Sequence, residues 1–184
     1  MRGVASASYA RHSMSENWSP ISLLESGGTG ASVVFRSLEG ERRRTWDEIA
    51  YRAVRSAAGL ARLGVRKRDP VTCVFGNTPE ALAAALGTWL IGGVIVSLPI
   101  PARNTTGEEY GAQLRELCAR AESDVLLVEE RARDGIEVLL GAGGPRVVSF
   151  ESLEGGSLVT PDPPSGHAPA FVQFTSGTTG PAKG

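Results

Sequence analysis

The chain has 184 residues, a formal net charge of −1 and 41% hydrophobic residues. That is long enough for one domain with a sizeable core, and the balanced charge excludes a strongly basic nucleic-acid binder. No apolar stretch reaches transmembrane length, because the longest, residues 81–101, is broken by Gly87, Gly92 and Gly93.

Residues 1–18 are expected to form a disordered leader. Arg2, Arg11 and His12 lie there among small residues with no apolar h-region, which argues against a secretory signal, and Met14 is an alternative start. Residues 31–35 and 41–44 read as a hairpin around Glu39-Gly40. Thr45 and Glu48 have the spacing of a capping box, in which each side chain satisfies an amide at the helix start. Trp46, Ile49, Ala50, Ala53, Ala57, Leu60 and Ala61 then recur at helical spacing until Gly64.

Residues 71–75 form an apolar strand, and Thr78-Pro79 opens a second helix running to about Ile91, with proline at its first position. Residues 94–98 read as a buried strand stopped by Pro99 and Pro101. Thr106 and Glu109 repeat the capping box, and Tyr110, Leu114, Leu117 and Ala121 line one face of the helix they open. Strands over 124–128 and 146–150 flank a weaker helix over 131–140. A Pro- and Gly-rich loop over 153–169 leads to the last strand, 170–174.

Strands alternating with amphipathic helices predict an α/β fold, a largely parallel sheet flanked by helices. Ligands of such folds bind in loops beyond the carboxyl ends of strands. Cys73 falls on an apolar strand and Cys118 on an apolar helix face, and they match no metal spacing. Buried free thiols and a reducing, cytoplasmic setting are the expectation. His12 and His167 have no sequence neighbours that suggest a metal or catalytic role. The runs Arg42-Arg43-Arg44 and Arg66-Lys67-Arg68 read as solvated turns.

The last strand delivers the most informative segment, FVQFTSGTTGPAKG over residues 171–184. Thr175, Ser176, Gly177, Thr178, Thr179, Gly180 and Lys183 are the residue types that wrap a phosphate chain. Glycines allow backbone amides to approach an anion, hydroxyls donate to its oxygens, and lysine adds a compact positive charge. Lys67 and Lys183 are the two lysines of a chain that otherwise uses arginine, which makes the lysine here notable. A Walker-type loop fails on spacing: Ala182 precedes the lysine instead of glycine, and Gly184 follows it instead of a magnesium-binding hydroxyl. The dinucleotide fingerprint lacks its third glycine. A flexible Gly/Ser/Thr linker is the bland alternative, but it has no reason to follow an apolar strand with this ordered string.

The segment resembles the phosphate-binding signature of adenylate-forming enzymes, the superfamily of acyl-CoA synthetases, fatty acyl-AMP ligases and peptide-synthetase adenylation domains. That signature runs Tyr or Phe, Thr-Ser-Gly, Thr or Ser, Thr-Gly, any residue, then Pro-Lys-Gly. Phe174 to Gly180 match in order, as do Lys183-Gly184, whereas Pro181-Ala182 places the proline one position early. The stretch from Arg44 to Ile49 resembles another family element. So does Gly64 to Val71, where Arg68 stands at a usual glycine, and so does Trp89 to Pro99. Leu98-Pro99-Ile100-Pro101 with the following helix looks most like fatty acyl-AMP ligases.

The resemblance covers residues 19–184 and implies the N-terminal portion of an adenylation domain, truncated at its phosphate-binding loop. It implies ATP and Mg2+ as cofactors, a carboxylic acid, most like a fatty acid, as substrate, and an acyl carrier protein or coenzyme A as acceptor. The named loop residues would bind the ATP phosphates, with no catalytic or metal-ligating residue carried in the chain. Taken alone it is expected to be inactive. The alternative is a non-catalytic module that binds nucleotide or a partner.

Overall fold

A computed structural model describes Leu24 and residues 30–38, 40–153, 155, 160–163 and 168–174. The expected leader and the Thr175–Gly184 segment lie outside the described residues, as do His12 and His167.

The first elements form a hairpin, β1 (Ser32–Ser37) antiparallel to β2 (Gly40–Thr45). The arginines at 42–44 lie in β2 and not in a turn, and Arg42 reaches Glu80 at 3.7 Å. Helix α1 (Trp46–Arg62) starts at the expected capping box: the Glu48 amide donates to Thr45 Oγ1 at 3.2 Å, and the Thr45 amide donates to Glu48 Oε2 at 2.8 Å. Strand β3 (Pro70–Cys73), helix α2 (Pro79–Leu90), strand β4 (Val94–Ser97) and helix α3 (Gly107–Arg120) follow. Then come β5 (Val125–Val128), α4 (Glu130–Leu140), β6 (Arg146–Ser149), a short 3-10 turn at Glu151–Leu153, and β7 (Phe171–Gln173). The second capping box, Thr106 with Glu109, is present at the start of α3.

Strands β3 to β7 form one sheet in the order β6-β5-β3-β4-β7, and every pairing is parallel. The chain moves one way from β3 to β4, then returns across β3 to reach β5. Right-handed crossovers therefore put α2 on one face and α3 and α4 on the other. The two apolar clusters follow from this. Val71, Cys73, Ile95, Val125 and Leu127 pack with α1 and α2. Val96, Leu126, Val128 and Val147 pack with α3 and α4. Burial on both faces explains why β5 is four apolar residues, all buried, with no alternation.

Strand ladders end a residue or two short of the apolar runs. Val74 still donates its amide to Leu127 at 2.9 Å, and Phe75 stacks on Phe150 with ring centroids 5.9 Å apart. These residues close the core at the carboxyl edge instead of extending the ladder.

Candidate functional site

The carboxyl edge of the sheet is where the sequence signature begins. β7 is three residues long and sits at one end of the described sheet. Its register on β4 is Ile95 with Phe171, Val96 with Val172 and Ser97 with Gln173. The Ala170 carbonyl, just before the strand, accepts two hydrogen bonds: one from the Ile95 amide at 3.1 Å and one from the Trp89 indole Nε1–H at 2.8 Å. At the other end, the Arg120 guanidinium lies over the Phe174 ring, 5.3 Å from its centroid. Thr175 follows Phe174 directly in the sequence. Thr175, Ser176, Gly177, Thr178, Thr179, Gly180 and Lys183 themselves lie outside the described residues.

Neighbouring loops share this edge. After β4 the chain turns at Leu98-Pro99-Ile100, where Tyr110 Oη donates to the Pro99 carbonyl at 3.1 Å and Ile100 is exposed. Burial, with a smaller contribution from the nearby Cys118 thiol, pushes the Tyr110 phenol up to about 12, so it stays a donor at neutral pH. After β3, Asn77 Nδ2 donates to the Arg36 carbonyl at 2.8 Å. Gly76 lies against the carboxylate of Glu129, the residue that follows β5, so closely that a Cβ there would push that side chain aside. Arg120, Asn77 and Glu129 had no motif to announce them, and the Trp89–Pro99 stretch reads as core helix and strand end, with nothing to mark the indole bond.

A cavity of about 390 Å3 lies beside β7, lined by Val94, Val96, Val172, Phe174, Arg68 and Arg120 among others. A larger cavity, about 540 Å3, instead runs along β6 at the opposite end of the sheet, by Arg62, Arg133 and Arg146. The β7 side has the stronger claim to function, because the phosphate-type residues follow that strand in the chain. Among the described residues, no three His, Cys, Asp or Glu side chains converge as metal ligands.

The last strand of this parallel α/β sheet continues in the chain into a sequence rich in Gly and Thr that carries Lys183. The chain belongs to the AMP-binding enzyme family, whose pattern matches residues 27–184. It is 34% identical over 147 residues to pyochelin synthetase PchE of Pseudomonas aeruginosa, covering 78% of this chain and 9% of that protein. It is 29% identical over 183 residues to 3-hydroxypropionyl-coenzyme A synthetase of Metallosphaera sedula, covering 84% of this chain and 27% of that one.

Among solved structures, McyG A-PCP complexed with phenylalanyl-adenylate superposes with a TM-score of 0.77 at 14% identity, covering 90% of this chain and 31% of that one. A fatty acyl-adenylate ligase from work on the E. coli and L. pneumophila enzymes gives 0.76 at 20% identity, covering 88% and 30%. At these identities the structural likeness speaks to the fold. The chain therefore spans less than a third of the length of each of these proteins.

Proposed function

We propose that this chain supplies the ATP-phosphate grip of an enzyme that activates a carboxylic acid as its acyl-adenylate. The observation that carries the reading is the direct continuation in the chain from β7, at one end of the described parallel sheet, into the sequence Thr-Ser-Gly-Thr-Thr-Gly with Lys183, in a member of the AMP-binding enzyme family. Residues 19–184 are read as the N-terminal portion of an adenylation domain and residues 1–18 as a leader.

In the reaction, a carboxylate oxygen attacks the α-phosphorus of ATP, the bond to the bridging oxygen breaks, and pyrophosphate leaves. The acyl group then passes to the thiol of a carrier protein or coenzyme A. The hydroxyls of Thr175, Ser176, Thr178 and Thr179 donate to the β- and γ-phosphate oxygens. Gly177 and Gly180 let backbone amides close on the same oxygens, and Lys183 offsets the charge gathering on the departing pyrophosphate. Magnesium accompanies ATP and neutralises part of that charge when bound. The residues assigned to the grip contribute hydroxyl, amide and ammonium donors.

The turn at Leu98-Pro99-Ile100-Pro101 and the amphipathic helix after it favour a fatty acid as substrate. The similarity to pyochelin synthetase supports a second reading, a peptide-synthetase type of acid with a carrier protein as acceptor. A cytoplasmic location suits either, and no described helix is long and apolar enough to cross a membrane.

The test is acid-dependent ATP–pyrophosphate exchange. A protein in which these residues are continued by the rest of an adenylation domain is expected to exchange, with fatty acids compared against amino and aryl acids. The 184-residue chain alone is expected to show none. Robust exchange by the chain alone would overturn the view that it supplies only the grip. A lack of ATP binding by either form would overturn the phosphate reading itself.

A further inference from the structure

We propose that Trp89 and Arg120 are positioning residues for the phosphate-binding loop, acting through β7 without touching the ligand. They serve this purpose only if the loop binds phosphate as proposed above.

β7 is a weak foundation. It has three residues and, among the described residues, is paired with a single strand, so few backbone hydrogen bonds fix where the loop begins. A loop that must aim several donors at one phosphate chain loses much of its effect if its origin shifts by an ångström. Two side chains from helices on opposite faces of the sheet grip the strand at its two ends. Trp89, on α2, donates its indole N–H to the Ala170 carbonyl at 2.8 Å, before the strand. Arg120, the last residue of α3, lies over Phe174, immediately before Thr175.

The indole bond adds to the Ile95 bond on the same oxygen, so Ala170 is held from the neighbouring strand and from the helix above it. The cation over the Phe174 ring opposes rotation of the residue that leads into the loop. The grip therefore fixes both register and direction at the site's entrance, and neither group needs to reach the nucleotide.

The molecule contains a matched control. Trp46 Nε1 also donates to a backbone carbonyl, that of Leu24, at 3.0 Å, but at the start of α1 and far along the chain from β7. Trp89→Phe and Trp46→Phe each remove one indole donor and keep an aromatic ring. MgATP binding to the 184-residue chain is measured by calorimetry, with hydrogen exchange of residues 170–174 and thermal unfolding alongside.

Trp89→Phe is expected to speed exchange in β7 and weaken MgATP binding by about fivefold, the worth of one hydrogen bond. Trp46→Phe, which loses one hydrogen bond of the same kind, is expected to lower the melting temperature as much as Trp89→Phe does and leave MgATP binding within about twofold. Arg120→Met, which keeps an apolar stem and removes the cation, is expected to weaken binding in the same direction and serves as the test should Trp89→Phe not fold.

Equal effects of the two tryptophan variants on MgATP binding would overturn the positioning role, since both would then act through general stability. Wild-type binding matched by Trp89→Phe, or by Arg120→Met where that variant is the test, would also overturn it while leaving the phosphate reading intact. A wild-type chain that does not bind MgATP would overturn both.

Discussion

The amide of Arg68 donates to the carbonyl of Gly92 over 2.8 Å while Arg68 itself holds a φ of 71°. The bond ties the turn before β3 to the turn before β4, and the ordinary side chain at Arg68 must adopt a left-handed conformation to make it. Adenylate-forming enzymes usually carry glycine at this point of the resembling stretch, and the observed φ supplies the physical reason.

Arg68→Gly is therefore expected to stabilise the fold. The left-handed conformation costs a residue with a Cβ about 1–2 kcal/mol, and the added chain entropy of glycine returns roughly 0.5–1 kcal/mol of that. A net gain of about 0.5–1 kcal/mol should appear as a higher urea midpoint with an unchanged slope. A lower midpoint would show that the arginine side chain contributes more than the strain costs.

Three glycines separate close packing from simple helix propensity. A Cβ at Gly87 would lie 2.8 Å from the Ala53 carbonyl oxygen and the Ala57 nitrogen, where α2 crosses α1, and one at Gly59 would collide with the Leu153 carbonyl. Gly87→Ala and Gly59→Ala are each expected to cost about 1–3 kcal/mol. Gly135, in α4, has nothing within 4 Å of the same position. Gly135→Ala should raise stability by about 0.5–1 kcal/mol. Opposite signs in denaturant melts check the argument, and a destabilised Gly135→Ala would refute it.

How much could be read ahead depended on the range of each interaction. Both capping boxes and the proline at the start of α2 were legible, because residues three or four apart decide them. The parallel α/β class was legible from alternation. Strand ends were less so, because partners and not apolarity end a ladder: Val74, Phe75, Leu98 and Phe150 are apolar yet lie past it. The order β6-β5-β3-β4-β7 and the bond from Trp89 to Ala170, 81 residues apart, arise only when the crossovers bring distant segments together. The residues from Thr175 to Lys183 are read from their types alone, since hydroxyls, glycines and a lysine bring their donors with them, and they lie outside the described residues.

Both thiols should be silent in the folded protein. Cys73 and Cys118 are buried, and burial pushes each thiol up from its ordinary value, with a hydrogen bond to Thr72 drawing Cys118 partly back. Thiolate is the reactive form, so little of it is available at pH 8. Ellman's reagent is expected to titrate neither cysteine in minutes under native conditions and both in guanidinium. Rapid native reaction at either would mean that its element opens locally.

The capping glutamates should make stability fall in acid. The backbone amide of Thr45 is the main cause holding the Glu48 carboxyl below its ordinary 4.5, against some desolvation, with the Thr45 hydroxyl, Arg44 and Arg52 adding to it. The Thr106 amide and hydroxyl do the same for Glu109. A carboxyl depressed in the folded state binds its proton less readily there than in the unfolded chain. Its contribution is therefore complete above the unfolded value and disappears as pH falls through the lower folded one. The double variant Glu48→Gln with Glu109→Gln should be less stable than wild type at neutral pH. That gap should narrow steadily below about pH 4.5, because protonated glutamate and glutamine then offer the same neutral acceptor. Urea melts at several pH values read the gap directly. A gap that stays constant into acid would show that the substitutions act through something other than the carboxylate charge.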